Sequence, residues 1–194
     1  NAGKFVLSQE GEAHDITNEL DRAFVAKLRT LAARATTSFD EFNYAQALQD
    51  TESFFWTHFT DTYLELAKPR ARWYVDGETQ GERAADSGSA VAALRLGLSL
   101  LLRLFAPVMP YISEEIWSWV YAQETGEPTI HRASWPTEES LDGVAAPQSE
   151  ASFDHAVNAL AAINKAKADA EVSMGREVER LVLAANQKTL EALA

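Results

Sequence analysis

Apolar residues recurring every three to four positions predict a mainly α protein, a helical bundle, with a small truncated α/β segment at its C-terminus. Three observations carry this. Several long stretches hold one apolar stripe each, proline and glycine punctuate them, and only EVERLVLA, at 177–184, alternates in the manner of a strand.

Asn1 to Ser8 reads as the last turns of a helix entering from preceding sequence, since the chain opens on Asn1 and is taken as a piece of a longer protein. The first long helix is expected from about Thr17 to Thr36. Leu20, Phe24, Leu28, Leu31 and Ala35 lie on one stripe, and Asp15, Glu19 and Asp21 suit its positive end. The next is expected from Asn43, with capping-box spacing to Gln46, and has Leu48, Phe55, Phe59, Tyr63 and Leu66 as its stripe. It should stop near Lys68, because Pro69 disfavours helix in the residue before it. Residues 75–88 are polar, contain glycine and read as a loop. A third long helix carries Val91, Leu94, Leu98, Leu101, Leu102 and Phe105 until Pro107 and Pro110 break it. A shorter one follows, with Ile112, Ile116, Trp119 and Val120 inward and Gly126 and Pro128 past its end. TIHRASWP, 129–136, is extended or looped. Three units result: a bundle over 1–136, an acidic linker over 137–150, and over 151–194 a helix plus a partial α/β appendage. The final helix, about Ser152 to Ala170, turns Phe153, Val157, Leu160 and Asn164 to one side, and a further helix is expected to begin at Asn186.

The composition is ordinary for a globular chain, with 46% hydrophobic and 24% charged residues. The absence of cysteine excludes disulfides and cysteine-ligated zinc and fits a reducing compartment. No signal-peptide pattern opens the chain, and the longest apolar run, Leu98 to Met109, is interrupted by Arg103 and Pro107 and falls short of a membrane span. A net charge of -12 opposes tight non-specific nucleic-acid binding. The charge is uneven, however. Residues 138–154 hold Glu138, Glu139, Asp142, Glu150 and Asp154 without a cation, while Lys68, Arg70 and Arg72 cluster after an aromatic-rich helix. That basic edge could meet RNA or simply suit a helix C-terminus.

No phosphate-binding glycine loop or nucleophile elbow is present. His14, His58, His131 and His155 are scattered, and His58 with Asp61 is the nearest approach to a metal pair, so no metal site is assigned. Glu114 and Glu115 point about 100° apart on a helix and are read as complementing the helix that starts after Pro110, not as an acid/base pair. Phe54, Phe55, Trp56 and Phe59 are mostly core by spacing, with base stacking as the alternative for any one of them.

Four segments carry a family resemblance: NAGKFVLS at 1–8, FFWTHFTDTYLELAKPR at 54–70, LFAPVMPYISEEIWSW at 104–119 and TIHRASWP at 129–136. In order and spacing they resemble the helical anticodon-binding domain of class I aminoacyl-tRNA synthetases, most closely the valyl type and next the isoleucyl. Thr60 stands where the valyl pattern commonly has cysteine. The resemblance implies, for a whole enzyme, ATP-dependent activation of valine with Mg and transfer to the terminal ribose of its tRNA, in the cytoplasm and as a monomer. The His-x-Gly-His and Lys-Met-Ser-Lys-Ser motifs do not occur in this chain, so it is expected to be catalytically inactive alone, to use no cofactor and to act beside a catalytic domain. The resemblance also assigns roles. Phe5 stacks on an anticodon base, Lys4 and Arg70 contact phosphate or sugar, and Leu64 and Glu65 line the base pocket, Glu65 accepting from an exocyclic amine. Ordinary packing is the alternative for Phe5 and Leu64, and an intrahelical pair with Lys68 the alternative for Glu65. Lys68, Arg72, Lys165, Lys167 and Arg176 are further candidate tRNA contacts, against a solvated face. A helical protein-interaction module without RNA is the competing reading from another class.

Overall fold

The computed structural model describes residues 1–9, 14–72, 82–173, 175–180, 182, 184 and 187. Its helices are α1 (Ala2–Leu7), α2 (Glu19–Asp40), α3 (Tyr44–Phe54), α4 (Glu65–Arg72), α5 (Glu82–Phe105), α6 (Pro110–Trp119), α7 (Tyr121–Thr125) and α8 (Ser152–Asp169). A ten-residue π-helical segment, Phe55–Leu64, joins α3 to α4 in one rod. Two 3-10 turns, Ile130–Arg132 and Glu138–Leu141, lie between α7 and α8.

Helix α2 begins where Asn18 caps it, its side chain accepting from Leu20 N at 2.9 Å. Of the expected stripe Phe24, Leu28, Leu31 and Ala35 are buried and Leu20 is half-buried against the core, and α2 packs on α3, α5 and α8. Phe24 is the hub. Its ring stacks on Tyr63 with centroids 3.8 Å apart and planes at 3°, and it meets Phe54, Phe59 and Phe153 at about 6 Å. Gly97 of α5 makes room for this cluster, since a Cβ there would lie 2.9 Å from Phe24. All six apolar positions named for the third long helix are buried on α5.

Several expectations are corrected. Residues 82–88 are helical, while the rest of the expected loop, 75–81, lies outside the described residues. The helix carrying Pro69 does not stop at Lys68 but runs on to Arg72. Asn43 caps α3 by accepting from Gln46 N, but Gln46 donates to Asp50 at 2.9 Å instead of reaching back. On α6 the buried side chains are Ser113 and Trp117, with Ile112 and Trp119 exposed. By length and a mean hydropathy of 1.5, Arg83–Phe105 is apolar enough to cross a membrane, yet 72% of its apolar window is buried inside the bundle.

The acidic stretch after Pro136 is a strap fixed to α2. Leu141 is buried, Arg29 donates to the carbonyls of Leu141 and Val144, and Glu19 accepts from Gln148 N, Ser149 N and Ser152 Oγ at 2.8–3.0 Å. Burial acts to raise the Glu19 pKa, but these hydrogen bonds outweigh it and hold the carboxyl below its ordinary value. Phe153 of α8 joins the main core. The strand expected at 177–184 is not formed among the described residues of that stretch, where 177–180, 182 and 184 are irregular and exposed. A strand needs a neighbour to take its backbone hydrogen bonds, and no sheet exists among the described residues. Of the helix expected from Asn186, only Gln187 is described.

Candidate nucleic-acid interface

The π-helical segment decides what the rod presents on each side. Hydrogen bonding of the i→i+5 type winds the chain more loosely than an α-helix, so side chains four and five apart share a face. Thr62 Oγ1 marks the change by donating to the carbonyl five residues back, Thr57 O, at 2.7 Å. Toward the core the rod buries Phe54, Phe59, Tyr63 and Ala67, with Phe55 and Leu66 only half-buried. Phe55, Trp56, Thr60, Asp61, Leu64, Glu65 and Lys68 of the rod line a groove of about 540 Å³ together with Asn1 and with Ala2 and Phe5 of α1.

Four of the residues assigned from the sequence meet in this groove: Phe5, Leu64, Glu65 and Lys68. Phe5 is half-buried, and its ring lies 5.5 Å from the Lys68 ammonium, within cation–π range. Lys68 Nζ also pairs with Glu65 Oε1 at 2.6 Å, the i,i+3 pair held open as the alternative for Glu65. Leu64 is 6% exposed and forms the apolar floor between core and groove. The sequence suggests Trp56, 54% exposed, only for base stacking and Asp61 only as a metal partner of His58; a 3.6-residue period sets Asp61 beside Glu65 but both of them far round the helix from Trp56.

Arg70 is not in the groove. Its side chain turns inward and grips Asp21, which is fully buried, with Nη1–Oδ2 at 2.9 Å and Nη2–Oδ1 at 2.6 Å. Tyr63 Oη and Ser89 Oγ donate to the same carboxylate at 2.7 Å each, so Asp21 accepts four hydrogen bonds. Burial acts to lower the pKa of Arg70, but Asp21 outweighs it and keeps the guanidinium charged. Burial, reinforced by Asp21, raises the Tyr63 phenol well above its ordinary range, so it stays a donor. The phosphate contact expected of Arg70 is thus corrected to a structural role: a buried carboxylate without a cation would be severely destabilising. Asp21 likewise serves the core and not the exposed helix end.

Lys4 and Arg72 are exposed, on α1 and at the end of α4. Lys165 and Lys167 belong to α8, which packs on α2, and Arg176 is exposed beyond it; none of the three lines the groove. Glu114 does not serve its own helix start but accepts from Thr129 Oγ1 at 2.8 Å and Ile130 N at 2.9 Å, fixing the TIHRASWP turn, and Glu115 accepts from Trp119 Nε1.

A second recess, about 180 Å³, is lined by Lys27, Thr30, Arg34, Asp50 and His58 among others. His58 and Asp61 therefore open onto different recesses. The imidazole stacks on Phe54 at 5.1 Å and on Phe153 at 6.0 Å. Burial, then Lys27, lowers its pKa from 6.5, against a smaller opposing effect of Asp154. The folded chain thus favours neutral His58, and this contribution is complete above the unfolded pKa and lost as pH falls through the folded one. Urea unfolding from about pH 7.5 down to about pH 5 should show stability falling on acidification, with a shallower slope in His58→Gln.

Residues 21–183 match the family model described as anticodon-binding domain of tRNA ligase. The chain is 41% identical over 216 residues, covering 100% of its length, to the valine–tRNA ligase of Salinispora arenicola. It is 46% identical over 143 residues, 73% of its length, to that of Cutibacterium acnes, and 38% identical over 192 residues, 96% of its length, to that of Thermobifida fusca. It spans only 15%, 20% and 23% of the Cutibacterium, Thermobifida and Salinispora proteins. With the family match running through all the long helices, the chain belongs to the anticodon-binding domain family of tRNA ligases.

Proposed function

We propose that this chain recognises the anticodon of a valine-accepting tRNA, as one part of a valine–tRNA ligase working in the cytoplasm. The observation that carries this is the groove: Phe5, Trp56, Leu64, Glu65 and Lys68, from two separate helices, converge on one open cleft of about 540 Å³. Splayed RNA bases are bound in such a place, by stacking on aromatic planes and by hydrogen bonds to their edges. Phe5 and Trp56 supply planes, Leu64 an apolar floor, and the carboxylates acceptors. Lys4, beside Phe5 in sequence, and Arg72, four residues past Lys68, are assigned as phosphate contacts, and Lys68 steadies Phe5. Lys165, Lys167 and Arg176 are assigned to the outer corner of the tRNA. Adenylation of valine with ATP and Mg, and transfer to tRNA, belong to the remainder of a ligase of the relatives' length, acting as a monomer.

Binding of the chain to a valine tRNA transcript, and to one with an exchanged anticodon, at low and moderate salt, tests the reading. The valine anticodon should be preferred at both. Phe5→Ala should weaken binding by about 1–3 kcal/mol, the usual worth of one aromatic–base stack, with the stability lost from this half-buried ring read separately by urea unfolding. Equal binding of both transcripts by the unaltered chain would overturn the reading.

A further inference from the structure

We propose that Asp61 reads one base of the anticodon directly, its carboxylate accepting a hydrogen bond from an exocyclic amine; this rests on the groove being the anticodon site. The placement comes from the π-helical winding. An α-helix would set Tyr63 and Ala67 on the face of Trp56, but both are fully buried. The looser winding brings Thr60 and Asp61, then Leu64 and Glu65, onto that face instead. Two carboxylates four residues apart therefore line one aromatic cleft.

The two differ in availability. Glu65 is held by Lys68 at 2.6 Å, and that ammonium also sits over Phe5. Asp61 is exposed and, among the described residues, pairs with no cation. Thr60 Oγ1 lies 3.3 Å from its Oδ1 while donating to Trp56 O at 2.9 Å, so the carboxylate, which lines the cleft, keeps acceptor sites for a ligand. An ionised carboxylate only accepts, so opposite purine C6 or pyrimidine C4 it favours adenine or cytosine, which carry an amine there, over hypoxanthine or uracil, which carry a carbonyl. Valine codons begin with G and U, so valine anticodons place adenine in the middle and cytosine third. Both adjacent bases carry the amine that this cleft selects, and Asp61 takes one of them.

The test uses the chain itself and three valine tRNAs: unaltered, with the middle adenosine replaced by inosine, and with the third cytosine replaced by uracil. Each replacement exchanges an amine for a carbonyl at that position without adding the second amine that guanine would bring. The unaltered chain should disfavour both, by roughly tenfold each. Asp61→Ala should erase the discrimination at one of these positions and keep it at the other. Asp61→Asn, which can donate as well as accept, should weaken discrimination at the same position. Retention of both preferences in Asp61→Ala, with unfolding unchanged, would overturn the assignment of Asp61 while leaving the groove as the anticodon site. Indifference of the unaltered chain to all three tRNAs would overturn both. Phe5→Ala separates the two roles further, since it should weaken all three tRNAs and leave their order intact.

Discussion

Arg70→Ala is expected to lower the free energy of unfolding by about 3–5 kcal/mol, the usual cost of removing one partner from a buried ion pair. The guanidinium makes two of the four hydrogen bonds to Asp21, a carboxylate with 0% exposure. Its loss would leave a buried charge with only Tyr63 and Ser89 as donors. Ser89 Oγ in turn accepts from Thr17 N and Asn18 N, so the same network ties the start of α2 to α5 and the rod. Urea unfolding at neutral pH measures the effect. Asp21→Asn with Arg70→Ala together should lose less than the sum of the two single changes, because neither variant group is then left charged and alone. The opposite pattern, normal stability with weakened tRNA binding in Arg70→Ala, would return Arg70 to the surface role that its motif suggests.

Phe24→Ala is expected to destabilise the chain by a similar amount, about 3–5 kcal/mol, through lost burial and the cavity left behind. Phe24 has 0% exposure and touches rings from the rod and from α8: Tyr63, Phe59, Phe54 and Phe153. Few of these neighbours can collapse into the space, since the rod and α8 that carry them are each packed on α2 or α5. Removing the ring also withdraws the face on which Tyr63 lies, and Tyr63 donates to Asp21. The change should therefore couple energetically to Arg70→Ala although the two side chains carry different interactions, and a double-mutant cycle reads that coupling. Unfolding that moved by less than about 1 kcal/mol would contradict the hub role.

Much of the candidate site was legible as sequence because two short motifs carry it: Phe5 in NAGKFVLS, and Leu64, Glu65 and Lys68 in TDTYLELAKPR meet in one groove. Trp56 was not legible as a groove residue beside Glu65, since a 3.6-residue period sets the two on opposite sides and ten residues of π-helix bring them together, whereas Asp61, four residues before Glu65, shares its face under either winding. The same failure put Leu66 on the buried stripe in place of Ala67, whereas the exchange of Phe55 for Phe54 arises in α3, where Ala47, Thr51 and Phe54 keep α-helical spacing. Arg70 misled for a different reason. A cation at the end of an aromatic helix has the same sequence signature whether it meets phosphate outside or a carboxylate inside.

Sequence alone determined the helical class, the apolar faces of α2 and α5, the break at Pro107 and Pro110, and the family to which the chain belongs. These are properties of local periodicity, of backbone restriction by proline and of short ordered motifs. Tertiary structure alone decided the fate of the charges: Asp21 bonded to residues 42, 49 and 68 positions away, Glu19 to the strap 129–133 positions on, Glu114 to the turn at Thr129. It also decided that the acidic segment is a packed strap and not a free linker. A polar group's partner depends on which distant helix the packed core brings beside it, and periodicity along one segment holds no record of that.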